Sequence, residues 1–444
     1  MHRLTTVQNS IFLTQNIYYK SALFNVGGYA HLKGVLNVGL LTKAIKLVLD
    51  RADVIEFGYY AFNDIRIEDN VHFKFYDIVD FFDLLKSEDS IVDWIKNDIT
   101  KPFNVKENIV KVRLFKSAKD EYFWYTKVHH IIFDGFSMSL FFKTVIQIYE
   151  CLQKEIDTNL DTKLFPYREF ADENYDYVKS EDFLSDRYFW SKKLSTISYS
   201  KAFSSSRKLQ ENITLISKQQ RITIPRGLFD DIASFSGEYN STAFHYFLSS
   251  LLVLNRFYDD VLPLIGIPVY NRKSGKHKKT LGLFVNMLPV SFDFEDDVNF
   301  IDILLCVKNV LKDCYKHQRF PLIDILEELD IRGNIYDISF SYQKNNYNIS
   351  TDDFHADITY LPNEQQQESL SFQLLEFDKG GDLALSVDYL EGSFSSDEIN
   401  RLLFYYNKIL NFAVSSPDTG LNKLDLLGSA ERLQLLEEFN STTV

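Results

Sequence analysis

The segment Tyr122-Phe123-Trp124-Tyr125-Thr126-Lys127-Val128 is apolar enough to be a central strand. It runs directly into His129-His130-Ile131-Ile132-Phe133-Asp134-Gly135. Beyond Gly135 the pattern changes. From Phe136 to Gln153, residues Leu140, Phe141, Val145, Ile148, Tyr149 and Leu152 recur at helical spacing. A buried strand that ends in two histidines at the start of a helix is where α/β proteins place reactive groups. Strand ends are rigid, and helix N-termini offer free N–H donors. A neutral imidazole accepts a proton near pH 7. Asp134 can orient its neighbours or anchor the loop through a cation. Gly135 lets the backbone approach a substrate oxygen, and its N–H can stabilise developing negative charge. A single histidine at a strand end is ordinarily a satisfied core residue, and Asp-Gly is ordinarily a turn. The joint pattern is rarer. With 9 His and 17 Gly in 444 residues, His-His-x-x-x-Asp-Gly arises by chance in on the order of one chain in a thousand.

Working outward, Val110 to Phe115 alternates apolar with basic and reads as a half-buried strand. Ala118-Lys119-Asp120 makes the turn into the next one. Upstream, Tyr29, His31 and Lys33 alternate in an extended run ending at Leu36, and Leu40 to Asp50 has helical periodicity. The charged, turn-rich region from Asp157 to about Ser185 reads as a crossing between two lobes. Beyond it the pattern predicts a helix over Ser241 to Tyr258 and a strand over Val261 to Val269. A second apolar strand is expected within Leu281 to Phe292, and a helix around Phe300 to His317. Asp337 to Tyr342 and Ser371 to Tyr389 are β-rich, the latter a hairpin turning at Asp378-Lys379-Gly380-Gly381. Asn363 to Gln367 is a short polar loop, and a last helix occupies Ser396 to Ala413.

The chain has 444 residues, more than one ordinary core, so two lobes are expected. Hydrophobic residues make up 45% and charged residues 25%, with 38 Phe and 26 Tyr, the balance of a soluble globular protein rather than a disordered one. The formal net charge of −14 disfavours nucleic acid as a partner. Cys151, Cys306 and Cys314 form no disulfide framework, and no C-x-x-C marks a metal site. No signal peptide is read at the N-terminus. The most apolar run, Phe244 to Leu254, is too short and too polar to span a bilayer. A cytoplasmic protein with no membrane association is expected. There is no H-E-x-x-H, P-loop or dinucleotide fingerprint.

The His129–Gly135 segment resembles the core motif of condensation domains from nonribosomal peptide synthetases, within the superfamily that includes chloramphenicol acetyltransferase. Four further segments are similar to that family's motifs. They are Gly266-Ile267-Pro268-Val269-Tyr270-Asn271-Arg272, Leu281 to Pro289 (Gly-x-Phe-Val-Asn), His317-Gln318-Arg319-Phe320-Pro321 and Tyr167-Arg168-Glu169-Phe170-Ala171. Their order agrees over nearly the whole chain. Two early motifs depart from the family's form: Arg51-Ala52-Asp53-Val54-Ile55-Glu56 lacks a histidine and an arginine, and the opening is reduced to Thr6-x-Gln8. This alanine–aspartate form is similar to the starter-type domain of enterobactin synthase component F, which takes an aromatic donor. Residues Leu426 to Thr443 resemble the linker into an adenylation domain. No upstream module fits before the first motif, so a donor arriving on a separate carrier protein is expected.

The resemblance implies an α/β (α+β) fold of two chloramphenicol-acetyltransferase-like lobes in a V-shaped pseudo-dimer, with a tunnel between them. Residues 1–175 would form the first lobe, 176–425 the second and 426–444 the linker. It implies amide formation between an acyl thioester on an upstream carrier and the amine of an aminoacyl thioester on a downstream carrier, as in peptide or siderophore assembly. The domain binds no cofactor of its own, because the substrates ride on the carriers' 4'-phosphopantetheine arms. No metal site is implied. His130 would take the amine proton or hold the amine, with Gly135 beside it. His129 would be structural, and Asp134 would pair with Arg272 to fix the loop. Asn286 and Ser137 are candidates to line the tunnel. The basic run Arg272 to Lys279 would be a solvated loop or a contact for an acidic carrier. A monomer is expected by analogy. An aspartate-based heterocyclisation motif is absent, and the extra glutamate motif of epimerisation domains is not located, so neither of those reactions is expected. Two alternatives remain: a freestanding coenzyme A-dependent acyltransferase, and a non-catalytic recruitment module on the same fold.

Overall fold

The structure is a computed structural model describing residues 4–63, 77–81, 87–158, 162–195, 203, 214–259, 261–295, 298–331, 335–344, 348–376 and 380–428. Helix α1 (Thr6–Ile17) precedes strand β1 (Asn25–Gly34), helices α2 (Val38–Arg51) and α3 (Val54–Asn63), strand β2 (Asp77–Phe81) and helix α4 (Glu88–Ile99). The hairpin β3 (Val110–Ala118) and β4 (Glu121–His129) leads into α5 (Gly135–Gln153), α6 (Tyr167–Tyr177) and α7 (Glu181–Leu194). Then come β5 (Ser217–Ile224), α8 (Arg226–Glu238), α9 (Ala243–Arg256), β6 (Ile265–Val269), β7 (Asn286–Val290), α10 (Phe300–Lys316) and α11 (Leu322–Glu328). The chain continues through β8 (Ile338–Lys344), β9 (Asn348–Ser350), β10 (Phe354–Tyr360), β11 (Leu370–Glu376), β12 (Leu383–Leu390) and α12 (Ser396–Ser415).

The strands form two six-stranded sheets, ordered β2-β3-β4-β1-β10-β9 and β5-β12-β11-β8-β6-β7. In the first sheet β4 is central and buried on both faces, which explains its continuous apolar run. Trp124 packs against Phe141 and Phe142 of α5, while Phe123 and Tyr125 join Ile91 and Ile95 of α4 on the other side. In the second sheet, α9 is buried from Tyr246 to Asn255 because α8, α10 and α12 pack around it. Among the described residues, no helix is long and apolar enough to cross a membrane.

Several expectations change. The region read as a crossing contains α6 and the start of α7. Their buried residues, Tyr167, Phe170, Ala171 and Tyr177, then Trp190 and Leu194, sit at helical spacing among charges that mask the period. The apolar stretch 281–292 is strand only over Asn286–Val290. Leu281, Leu283 and Phe284 are buried in an irregular segment that passes beneath α5. Strands β9 and β10, from the C-terminal half, join the first sheet, with Gly28 paired to Tyr360 and Leu32 to Ala356. The hairpin of β11 and β12 forms, though Asp378 and Lys379 of its turn lie outside the described residues, as do residues 429–444 of the expected linker.

Candidate active site

Strand β4 ends at His129 because the chain turns there toward α5, and the two histidines enter different surroundings. His129 is buried among the rings of Phe24, Phe62 and Phe103. Its Nδ1 accepts from the N–H of Ile131 at 3.2 Å, so Nε2 carries the proton and donates to Gln15 Oε1 at 3.0 Å. Burial, with His130 beside it, pushes the His129 pKa down to about 3. His130 is only partly buried and lines a cavity. Its backbone N–H donates to Phe24 O at 2.7 Å, and its Nδ1 is buried. Burial lowers its pKa too, opposed in part by the backbone carbonyl groups of His130 and Phe133 and by the Asp134 carboxylate. The loop is braced from below by Gln8, whose Nε2 donates to Ile131 O at 2.9 Å. Gln8 also closes a capping box with Thr5 at the start of α1.

Asp134 is the N-cap of α5 and accepts from the N–H of Ser137 at 2.7 Å. Its carboxylate also accepts from Arg272 Nη2 at 3.0 and 3.2 Å and from the N–H of Phe284 at 3.1 Å. Both members of the Asp134–Arg272 pair are buried. The guanidinium satisfies four more acceptors: Nη1 donates to His277 O at 2.5 Å and Thr280 O at 2.7 Å, and Nη2 donates to Ser137 Oγ at 2.7 Å and Gly282 O at 3.2 Å. It lies 4.4 Å from the Phe136 ring centre and 3.9 Å from that of Phe284. Four separate stretches of sequence, around 134, 167, 272 and 282, therefore meet at one point. Gly282 is required there, because a Cβ would come within 2.0 Å of the Tyr167 ring. Tyr167 in turn donates its hydroxyl to Leu283 O at 2.7 Å.

A cavity of about 1420 Å³ lies between the two sheets, lined by His130, Asp134, Gly135, Arg272 and Asn286 together with residues of α1, β8 and β11. A Cβ on Gly135 would meet nothing within 4 Å. Asn286 lines the cavity and also works as a tie, its Nδ2 donating to Gln318 O at 2.9 Å and Phe320 O at 2.8 Å. Ser137, expected on the tunnel wall, is not there. It is fully buried, with its hydroxyl shared among Arg272, Gly282 O and Gly282 N, so it belongs to the ion-pair knot. In the basic loop, Lys276 pairs with Glu169 and His277 with Glu173, while Lys273 reaches the cavity. Glu327 and Glu368 also line the cavity. Sequence reasoning also missed the role of Gln8, although Thr5-x-x-Gln8 is a capping-box signature. No local signal marks Glu368.

A family model for the condensation domain matches residues 1–436. A plipastatin synthase polypeptide of Bacillus subtilis (strain 168) is 26% identical over 99% of this chain, which spans 17% of that relative. Tyrocidine synthase 3 of Brevibacillus parabrevis is 22% identical over 98% of this chain, which spans 7% of it. Among solved structures, the starter condensation domain of rhizomide synthetase, crystallised as a variant with C8-CoA, superposes with a TM-score of 0.81 at 16% identity. That match covers 96% of this chain and 98% of that one. The first condensation domain of the calcium-dependent antibiotic synthetase, in complex with a substrate analogue, gives 0.79 at 15% identity, covering 96% and 99%. The two-sheet fold is thus that of condensation domains, and the chain belongs to the condensation domain family, the amide-forming acyltransferases of nonribosomal peptide synthetases.

Proposed function

We propose that His130 is the residue at which the amide forms, with the acyl thioester of an upstream carrier and the amine of a downstream aminoacyl thioester meeting in the cavity it lines. The observation that carries this reading is that His130 and Gly135 face one cavity between the two sheets, while His129 is sealed away from it. With Nδ1 buried, Nε2 is the nitrogen presented to substrate. The amine nitrogen attacks the thioester carbonyl, Nε2 takes the N–H proton as the tetrahedral intermediate forms or collapses, and the C–S bond breaks. The departing thiolate then recovers that proton from the imidazolium. The N–H of Gly135, in the first turn of α5 and without an intrahelical acceptor, faces the developing oxyanion. A depressed pKa keeps His130 neutral at pH 7 but makes it a weak base. Holding two tethered reactants together is worth about 7–11 kcal/mol, against roughly 3–5 for general base catalysis, so positioning supplies the larger share.

In this reading His129, Asp134 and Arg272 hold the loop and Asn286 shapes the wall. The lobes divide near residue 176, with β9 and β10 crossing back to the first sheet. The donor arrives in trans on a carrier's phosphopantetheine arm, and a downstream adenylation domain loads the acceptor carrier. The test is intact-mass detection of product on an aminoacyl carrier, offered 2,3-dihydroxybenzoyl-carrier, fatty acyl-carrier, fatty acyl-CoA and aminoacyl-carrier. Wild type forms an amide with at least one carrier-bound donor, and His130→Ala slows it by about a hundredfold, the low end for a lost general base. Transfer from fatty acyl-CoA alone would favour the freestanding acyltransferase. Carrier binding without transfer would favour recruitment.

A further inference from the structure

The second sheet lends the cavity a polar face. Ser339 and Ser341 of β8 pair in register with Ser371 and Gln373 of β11, and all four line the cavity with Gln343 and Glu368. The alternate residues, Ile338, Phe340, Phe372 and Leu374, turn into the core. The two glutamine amides and the Ser339 hydroxyl on this face bond within the wall. Gln343 Nε2 donates to Gln373 Oε1 at 3.4 Å, and Gln373 Nε2 to Asp388 Oδ2 at 2.7 Å. Ser339 Oγ lies 3.0 Å from Glu368 Oε1 and 2.9 Å from Ser371 Oγ. This wall offers an incoming molecule oxygen acceptors, the Glu368 carboxylate above all. Among the described residues Glu368 forms no ion pair with a cationic side chain. Burial raises its pKa, opposed by hydrogen bonds from the backbone N–H groups of Glu368 and Gln367 and from Ser339, with Asp337 adding to the rise. An anion held this way is relieved by a ligand that brings positive charge and N–H donors. An aminoacyl thioester does so, because an α-amino group with a pKa of about 7.7–8.0 is largely protonated at neutral pH.

We propose that Glu368, steadied by Ser339, binds an ammonium group of the aminoacyl acceptor inside the cavity. This rests on the amide-forming reading only for the identity of the acceptor. The ammonium is either the reacting α-amine or a side-chain amine, and two probes separate them. Alanyl-, propionyl- and lysyl-pantetheine amides, which cannot transfer, are titrated calorimetrically into the full chain and into Glu368→Gln. If the α-ammonium is bound, wild type holds the alanyl probe about tenfold tighter than the propionyl one, and Glu368→Gln brings the two within about twofold. If a side-chain ammonium is bound, only the lysyl probe shows the preference, and Glu368→Gln removes it. The proposal is overturned if wild type shows no preference for an amine, or if Glu368→Gln keeps it. Should Glu368→Gln fail to fold, Glu368→Asp, shorter by one carbon, serves instead and is expected to cut the preference at least threefold. Because binding is read without turnover, a failure of amide formation in the carrier assay leaves this outcome separately readable.

Discussion

His129 and His130 are neighbours in sequence, yet one is part of the core and the other part of the cavity wall. The difference has a measurable signature in pH. In the folded chain His129 has a pKa of about 3, whereas an unfolded histidine titrates near 6.5. Between those values the unfolded state binds the extra proton, so this residue's contribution falls as the pH drops below 6.5. Between pH 7 and 5, urea denaturation of wild type should lose about 2 kcal/mol more than that of His129→Gln; equal losses would place His129 in a solvated site. His130 is also depressed, so the ratio of wild-type to His130→Ala rates, which cancels the amine's own titration, should stay level from pH 8 to 6.5 and decline only below that. Gly135 gives a test of a different kind. Gly135→Ala adds a Cβ where nothing lies within 4 Å, so stability should hold while amide formation falls by about tenfold through narrowing of the cavity.

At the level of elements, the site depends on ties between segments far apart in the chain. Arg272 joins the start of α5, the segment around Gly282 and the turn at His277 through a single planar fork. Arg272→Met leaves Asp134 buried without its cation and should cost about 3–5 kcal/mol in chemical denaturation. Arg272→Lys should rescue little of that, because one ammonium cannot reach acceptors on both sides. Asn286 ties β7 to the turn after α10. Asn286→Ala strands the carbonyls of Gln318 and Phe320, at about 1–3 kcal/mol each. The departure at Asp53 also acquires a physical role. Its carboxylate accepts from the N–H groups of Tyr167 and Arg168 at 2.7 and 3.0 Å, supplying the cap that Pro166 cannot give α6.

Across the whole molecule, the polar loop from Leu361 to Glu368 couples the two sheets. Gln365 Oε1 accepts from Ser21 Oγ at 2.5 Å and from the N–H of Ala22 at 2.9 Å, and Asn363 Nδ2 donates to Leu23 O and Asn25 O at the start of β1. The same loop pairs Gln365 with Ile216, beside β5 of the other sheet. It therefore links the floor of the cavity to both halves. Gln365→Ala should speed amide exchange at Ala22 about fivefold or more without changing exchange in the core of α9. Unchanged exchange at Ala22 would show that backbone packing alone holds the sheets together.

The sequence by itself determined the parts in which chemistry and backbone geometry lie within a few residues of one another. The apolar run of β4, the two histidines and the helical period after Gly135 fix a strand–loop–helix unit, because side-chain period and helix capping are local properties. The pairing of Asp134 with Arg272 was legible only through family resemblance, and the structure supplies the donors and distances. Helices α6 and α7 were hidden because their buried residues are few and sit among charges. Only the tertiary structure decided that β9 and β10 belong to the first sheet, that Ser137 is sealed into the ion-pair knot, and that Glu368 faces the same cavity as His130. The physical reason is the same in each case. Strand partners and cavity walls are set by long-range burial, which rewards the best closure of two cores, and no local period records which distant face will complete it.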